Sequence, residues 1–331
     1  MAAGATDGEA RNGGARNGEA AARGGQGWQA RLQLRFEADA GRTRLAYRRH
    51  HGPLLVQRVF YPEPAGTSAV PSVTPAAQPA HAYLLHPPGG VVSGDQLQLE
   101  VEVCRDAHAL LTTPAAGKYY RRATLDARCQ VDAHGAVDAG AARAARVARL
   151  TQTLCVNGGV LEWLPQENIF YPDSAVQLST RVRLDDGARF IGWEIGCLGL
   201  PASRATLGDG TVRQAFELWQ RDAPVLLERL NLDRDCLSAR WGLAGHTALG
   251  TWLAYPATER ELALARAALT GLAALNCADT IVACTLVDGV LSCRGTSARA
   301  DRLKQAFIDL WCALRPALLG RAAIAPRIWA T

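Results

Sequence analysis

Tyr83-Leu84-Leu85-His86-Pro87-Pro88-Gly89-Gly90-Val91-Val92-Ser93-Gly94-Asp95 reads as the end of one strand, a rigid corner, and the approach to the next. Pro87 and Pro88 fix φ and remove two backbone donors. Gly89 and Gly90 admit positive φ. Gln96 to Val103 then alternates polar and apolar residues without a break, the pattern of a half-buried strand. The same residues admit chemical readings. Gly-Gly-x-x-x-Gly-Asp as a phosphate cradle needs a helix N-terminus behind it, but a strand follows and no Lys-Ser or Lys-Thr closes the motif. His86 and Asp95 are metal-ligand types, yet nothing beside them in sequence completes a ligand set. A structural corner is the reading favoured.

Upstream, Trp28, Ala30, Leu32, Leu34 and Phe36 alternate with polar residues, giving a strand with one wet face. Thr43–Tyr47 and Leu54–Phe60 read as strands around a polar turn that holds His50 and His51. Adjacent histidines on a strand point to opposite faces and do not share a metal easily. Residues 61–80 carry five prolines and read as an exposed loop insertion without a core role. Residues 1–27 are rich in Gly, Ala and Arg with little bulky apolar content, which predicts a disordered tail. Residues 28–331 then form a single β-rich domain.

Downstream, His108–Thr113 reads as a strand and Pro114–Lys118 as a turn. Lys118, Arg121 and Arg122 beside Tyr119 and Tyr120 suit either anion recognition or a packed, solvated face. Asn157-Gly158-Gly159 is a hairpin-type turn signal before the strand Val160–Leu164. Val176–Leu184 alternates cleanly, turns at Asp185-Asp186-Gly187, and returns as Arg189–Ile195. Thr211–Trp219 and Pro224–Leu230 read as strands, with more strand expected across Leu237–Tyr255. Thr258 and Glu261 form a capping box. Leu262, Ala265, Leu269, Leu272 and Leu275 follow at helical spacing. Asp288-Gly289 marks a hairpin. Leu303, Ala306, Phe307, Leu310, Trp311 and Leu314 define a second amphipathic helix that Pro316 bends or ends. Short alternating strands suit a sandwich, a barrel or a β-solenoid.

Composition bounds the function. The chain of 331 residues is 48% hydrophobic and 20% charged, as a core-forming chain should be. Net charge is +5, but the basic residues are scattered and not interleaved with aromatics, which argues against nucleic-acid binding. Nine widely spaced cysteines without Cys-x-x-Cys point to reduced thiols in a cytoplasmic protein. Cys277, Cys284 and Cys293 are too far apart for ordinary thiolate-metal spacing and read as core residues. No apolar run is long enough to span a membrane. Gly-x-Ser-x-Gly, His-Glu-x-x-His and Walker motifs are absent. Glu162 and Glu167 are the carboxylates to watch: acid/base work, cation passage, or for Glu167 a plain turn role.

The corner from His86 through Asp95 resembles the signature of the urease accessory protein D family (UreD, UreH in some lineages). Its signature positions here are His86, Pro87, Pro88, Gly89, Gly90 and Gly94. Three later segments agree in order and spacing: Leu110–Arg121, Leu161–Ile169 and Pro326–Thr331. Four co-linear segments carry the likeness where a lone Pro-Pro-Gly-Gly would not. Gly192-Trp193-Glu194 also matches the family pattern. One departure is Ser203–Leu207, which lacks the glutamate common there in the family.

The resemblance implies a mainly β, elongated, superhelical or solenoid-like fold with two helices in the C-terminal part. It places a strand at Leu150–Val156, where local composition could pass for helix. It implies a non-enzymatic chaperone that scaffolds nickel insertion into apo-urease, maturing the dinickel site with accessory protein F and, through F, the GTPase accessory protein G. It implies no tightly bound cofactor, only transient nickel(II), and nickel-route candidates Asp95, Glu162, Glu167 and Glu194. The alternative is a metallochaperone that carries nickel itself. A third reading, a hydrolase using Glu162 and Glu167, requires turnover by the protein alone.

Overall fold

The computed structural model describes residues 27–65, 77–122, 147–274 and 279–330. The predicted tail, most of the Pro-rich loop, and Cys277 lie outside the described residues. Among the described residues seventeen strands run in chain order. Seven of them build a first sheet in the order β14 (Ala223–Leu232), β13 (Thr211–Gln220), β11 (Ala175–Leu184), β8 (Ala148–Val156), β5 (Gln96–Val103), β1 (Gln29–Asp39) and β2 (Arg42–His51). The second sheet has ten. Its main path is β16 (Thr280–Val287), β17 (Val290–Ser297), β15 (Ala248–Tyr255), β12 (Arg189–Leu198), β9 (Val160–Trp163), β6 (His108–Thr112), β4 (Ala80–Leu85) and β3 (Leu55–Val56). The remaining two, β7 (Gly117–Tyr119) and β10 (Asn168–Phe170), pair with each other, and β10 also joins β12.

From β4 to β13 the chain passes repeatedly between the sheets, and within each sheet the successive arrivals pair in parallel. Asn157–Gly159 and Asp185–Gly187 therefore turn the chain from the first sheet to the second. They are not the hairpins that their residues suggest. A turn signal reports a local reversal, not which strand the arriving segment pairs with. The Pro-Pro-Gly-Gly corner does the predicted job, carrying the chain from β4 to β5.

Three layers result. Between the sheets lies a core that includes Leu32, Phe36, Leu99, Leu111, Trp163 and Leu178. Behind the second sheet, α2 (Glu259–Ala274) and α3 (Ala300–Leu319) cover another, built on Trp193, Trp252, Phe307 and Trp311. The second sheet is thus buried on both faces, and β6, β9 and β12 are buried nearly throughout, their few polar side chains included. The first sheet keeps a wet face, so β1, β5 and β11 alternate. Each fully buried large apolar side chain contributes about 1.5–3 kcal/mol. The mainly β expectation is met and neither sheet closes into a barrel; a solenoid or superhelical shape goes beyond the two layered sheets.

The capping box closes as expected, with Glu261 Oε2 accepting from the Thr258 N–H at 2.9 Å. Asp288 and Gly289 both take positive φ between β16 and β17, as the hairpin requires. Three expectations are corrected and a fourth is narrowed. Arg48–His51 continues β2 and is no turn. Leu237–Tyr255 opens with a third helix, α1 (Arg234–Ser238), capped by Asp233, before β15. Of bending or ending at Pro316, ending is excluded, since Pro316 lies inside α3, which runs on to Leu319 with Leu318 and Leu319 buried beyond it. Glu63, in the loop expected to stay outside the core, is buried. Among the described residues no helix is long and apolar enough to cross a membrane.

Candidate functional site

The four segments singled out in the sequence meet in space. Val91 donates its N–H to the Lys118 carbonyl at 2.7 Å, joining the corner to β7. Gly117 pairs with Asn168 across β7 and β10. Thr112 Oγ1 donates to the Leu164 carbonyl at 2.6 Å and accepts from the Trp329 indole at 2.8 Å. The C-terminal Trp329 ring also packs at a tilt against Trp193 and edge-on to Trp311.

Between the sheets, under the corner, lies a cavity of about 510 Å³. His86, Pro87, Gly89 and Gly90 line it at the corner, and Gln152, Asn168 and Glu194 give it polar walls. Glu194 projects from β12 into the space between the sheets, because Trp193 and Ile195 on the same strand are taken by the helix-side core. Its Oε1 accepts from Gln152 Nε2 at 3.2 Å and from the Thr180 hydroxyl. Its Oε2 accepts from Gln214 Nε2 at 2.6 Å. Burial pushes the Glu194 carboxyl up to about 7, and the charge of Glu228 adds to this, against three hydrogen bonds that pull it down. Thr251, register partner of Glu194 on β15, donates to Glu228 Oε2 at 2.9 Å. Glu228 in turn meets Arg294 at 2.6 Å on the half-open rim. Polar groups therefore continue from the corner cavity through Glu194 to Glu228.

The other candidate carboxylates lie elsewhere. Asp95 holds the corner: Oδ1 accepts from the Trp28 N–H at 2.8 Å and Oδ2 from the Val92 N–H at 2.9 Å. Glu167 lies near Lys304, at 3.4 Å. Glu162 points from β9 to the helix side, fully buried. Arg315 of α3 grips it with Nε on Oε2 and Nη2 on Oε1, both at 2.9 Å. Trp311 Nε1 and His108 Nε2 donate to the same carboxylate, each at 2.6 Å. Arg315 Nη2 also meets Glu63 Oε1 at 2.6 Å, and His81 Nε2 meets that oxygen at 2.8 Å. Burial alone would raise the Glu162 carboxyl, but Arg315 and His108 outweigh it and hold it well below the usual range. Burial lowers His108, so it is a neutral imidazole donating to a charged carboxylate.

Glu162 and Glu167 thus each meet a basic side chain of α3, Arg315 and Lys304. Sequence reasoning placed Glu194 among the candidates but missed Gln152, Thr180, Gln214 and Glu228. These lie on four different strands, and no local spacing links them. Among the described residues no group of three or more His, Cys, Asp or Glu could hold a metal ion.

Comparison with known proteins matches residues 29–330 to the UreD urease accessory protein family. The chain is 38% identical over 312 residues to the urease accessory protein UreD of Alcanivorax borkumensis, covering 92% of this chain and 93% of that protein. To the protein of that name from Pseudomonas putida strain W619 it is 39% identical over 306 residues, covering 92% and 95%. To that from Escherichia coli it is 37% identical over 308 residues, covering 93% and 98%. A match along almost the whole length, with three of the four signature segments lining one cavity, establishes that the chain belongs to the UreD urease accessory protein family.

Proposed function

We propose that this protein acts in urease maturation as a non-enzymatic scaffold for nickel insertion into apo-urease. The family is named for an accessory role rather than a catalytic one. In this reading residues 28–331 work as one unit. They bind accessory protein F and through it the GTPase accessory protein G, in the cytoplasm. Nickel(II) is cargo, held transiently. The observation that carries the reading is the cavity beneath the signature corner with Glu194 in its wall.

Nickel(II) accepts carboxylate, imidazole and water ligands. Passage needs weak, separated sites, since a closed cage would trap the ion. A carboxyl that titrates near 7 suits this, because a proton and a cation compete for it on even terms at neutral pH. Glu194 and Glu228 are the proposed route, because Glu194 has only neutral partners in the cavity wall and Glu228 lies next along from it; Asp95 is taken by backbone N–H groups, and Glu162 and Glu167 meet Arg315 and Lys304 outside it. The alternative, a carrier that itself holds nickel tightly, finds no ligand cluster among the described residues.

Co-expression with accessory proteins F and G and apo-urease tests the proposal. A stable complex is expected, and Glu194→Ala is expected to lower nickel per urease active site while the complex still forms. Full nickel loading by a folded Glu194→Ala complex removes the cavity route. Failure of the wild-type chain to join the complex removes the scaffold.

A further inference from the structure

Cys284 on β16 and Cys293 on β17 stand directly opposite each other in an antiparallel register that runs unbroken from Thr280↔Ser297 to Val287↔Val290. Directly opposed residues on such a ladder have Cα atoms about 4.5–5.5 Å apart. A disulfide spans Cα separations of roughly 4.4–6.8 Å. The two thiols are both buried, on the side of the hairpin that faces the helices, and both belong to the helix-side core. All seven cysteines among the described residues are free, and no other two of them are register partners.

We propose that Cys284 and Cys293 form a redox-active dithiol, oxidised to a cross-strand disulfide by a low-molecular-weight disulfide such as glutathione disulfide. Three features of the site support this. The geometry is preset by the register, so bond formation asks little of the backbone. Cys284 is the attacking thiol: the Cys293 S–H bonds to it, and the positive charge of Arg266 on α2 adds to that bond, so its proton is lost more readily despite burial. Cys293 retains its proton, raised by the bond to Cys284 and by burial, and is the resolving thiol. Finally, among the described residues β16 is the last strand of its sheet, bonded on one side only. An edge strand opens at lower cost than a central one, which gives a small disulfide access to Cys284.

The chemistry balances. The Cys284 thiolate attacks one sulfur of glutathione disulfide; the S–S bond breaks, a Cys284–glutathione bond forms and one glutathione thiolate leaves. Cys293 gives its proton to water and attacks Cys284 Sγ, displacing the second glutathione thiolate. Two electrons pass from the two protein thiols to glutathione disulfide, yielding the protein disulfide and two glutathiones. The bond would lie in an edge hairpin that opens locally, and disulfides exposed in this way have higher, more labile potentials. The bond is therefore reversed by glutathione and differs from a permanent staple.

The experiment equilibrates the full reduced chain in buffers of glutathione and glutathione disulfide, followed by acid quench, N-ethylmaleimide labelling and peptide mass mapping. A cross-linked Cys284–Cys293 peptide is expected, two hydrogens lighter than the reduced pair and lost again at high glutathione. Cys293→Ser is expected to accumulate glutathione on Cys284, and Cys284→Ser to leave Cys293 unmodified in the folded chain. If both cysteines of the wild-type chain stay labelled by maleimide only after unfolding at every buffer ratio, the pair is an inert core contact. Pairing of Cys284 with any other cysteine also overturns the proposal. The wild-type result stands even if a serine variant fails to fold.

Discussion

Glu162 and Glu194 lie on adjacent, parallel strands of one sheet and point to opposite faces of it. Glu162 meets Arg315 and α3; Glu194 enters the cavity between the sheets. Both are buried, yet one is held ionised and the other is raised to about 7. The difference is a cation. Arg315 compensates Glu162, whereas the Glu194 environment offers two amides and a hydroxyl. One carboxylate therefore anchors structure, while the other holds its proton up to near-neutral pH.

Replacing Arg315 by Met leaves Glu162 and Glu63 buried without their cation. Breaking a buried pair in this way costs about 3–5 kcal/mol. The Arg315→Met chain is expected to unfold at markedly lower denaturant than wild type. Adding Glu162→Gln and Glu63→Gln is expected to recover part of the loss. Equal stability of the single variant and wild type would remove the network as the anchor of α3.

Glu194 makes stability depend on pH in a defined direction. Its folded value of about 7 lies above the ordinary 4.5, so the native state holds the extra proton. That contribution is fully present below about pH 4.5 and is lost as pH rises through 7. The shift caps the effect at about 3 kcal/mol. Glu194→Gln is expected to gain stability on wild type between pH 5 and 8, read as the difference in unfolding free energy across that range. A constant difference contradicts the titration.

Asp95→Ala removes the acceptor for two backbone N–H groups at the corner. A loss of about 2 kcal/mol is expected, measured by thermal unfolding, with nickel per urease active site unchanged at equal amounts of folded complex. A drop in loading as large as that of Glu194→Ala places Asp95 on the route after all.

The inter-sheet corners separate two kinds of glycine. A Cβ on Gly159 would lie 2.4 Å from the Cys104 carbonyl oxygen and 2.7 Å from that of Ala107. Gly159→Ala is expected to cost about 1–3 kcal/mol through backbone displacement. At Gly187 a Cβ meets nothing within 4 Å and only the positive φ of 76° opposes it, so about 1 kcal/mol is expected. Denaturant titration of both variants compares them; the reverse order would show that the Gly159 corner is not tight.

Period and punctuation in the sequence were enough to find β1, β5 and β11, because one face of each is wet and the alternation is visible. The same holds for the Asp288-Gly289 hairpin and for both long helices, whose signals are local. The corner at Pro87-Pro88-Gly89-Gly90 was legible because two imino acids and two glycines leave the backbone few options.

Sequence could not say that Asn157–Gly159 and Asp185–Gly187 pass the chain to another sheet, since strand pairing is chosen by long-range hydrogen bonds and not by the turn. Nor could it separate Glu162 from Glu194. Both are lone acidic residues in apolar runs, and their local sequences look alike. Only the tertiary structure brings Arg315 to one, 153 residues later in the chain, and leaves the other among amides in a cavity. Sequence alone determined the strands with one wet face, the two long helices and the sharp corner at Pro87-Pro88-Gly89-Gly90, but not α1 or the end of β2. The packing of three layers decided which carboxylate is neutralised, because a buried charge takes its character from neighbours that the chain supplies from far away.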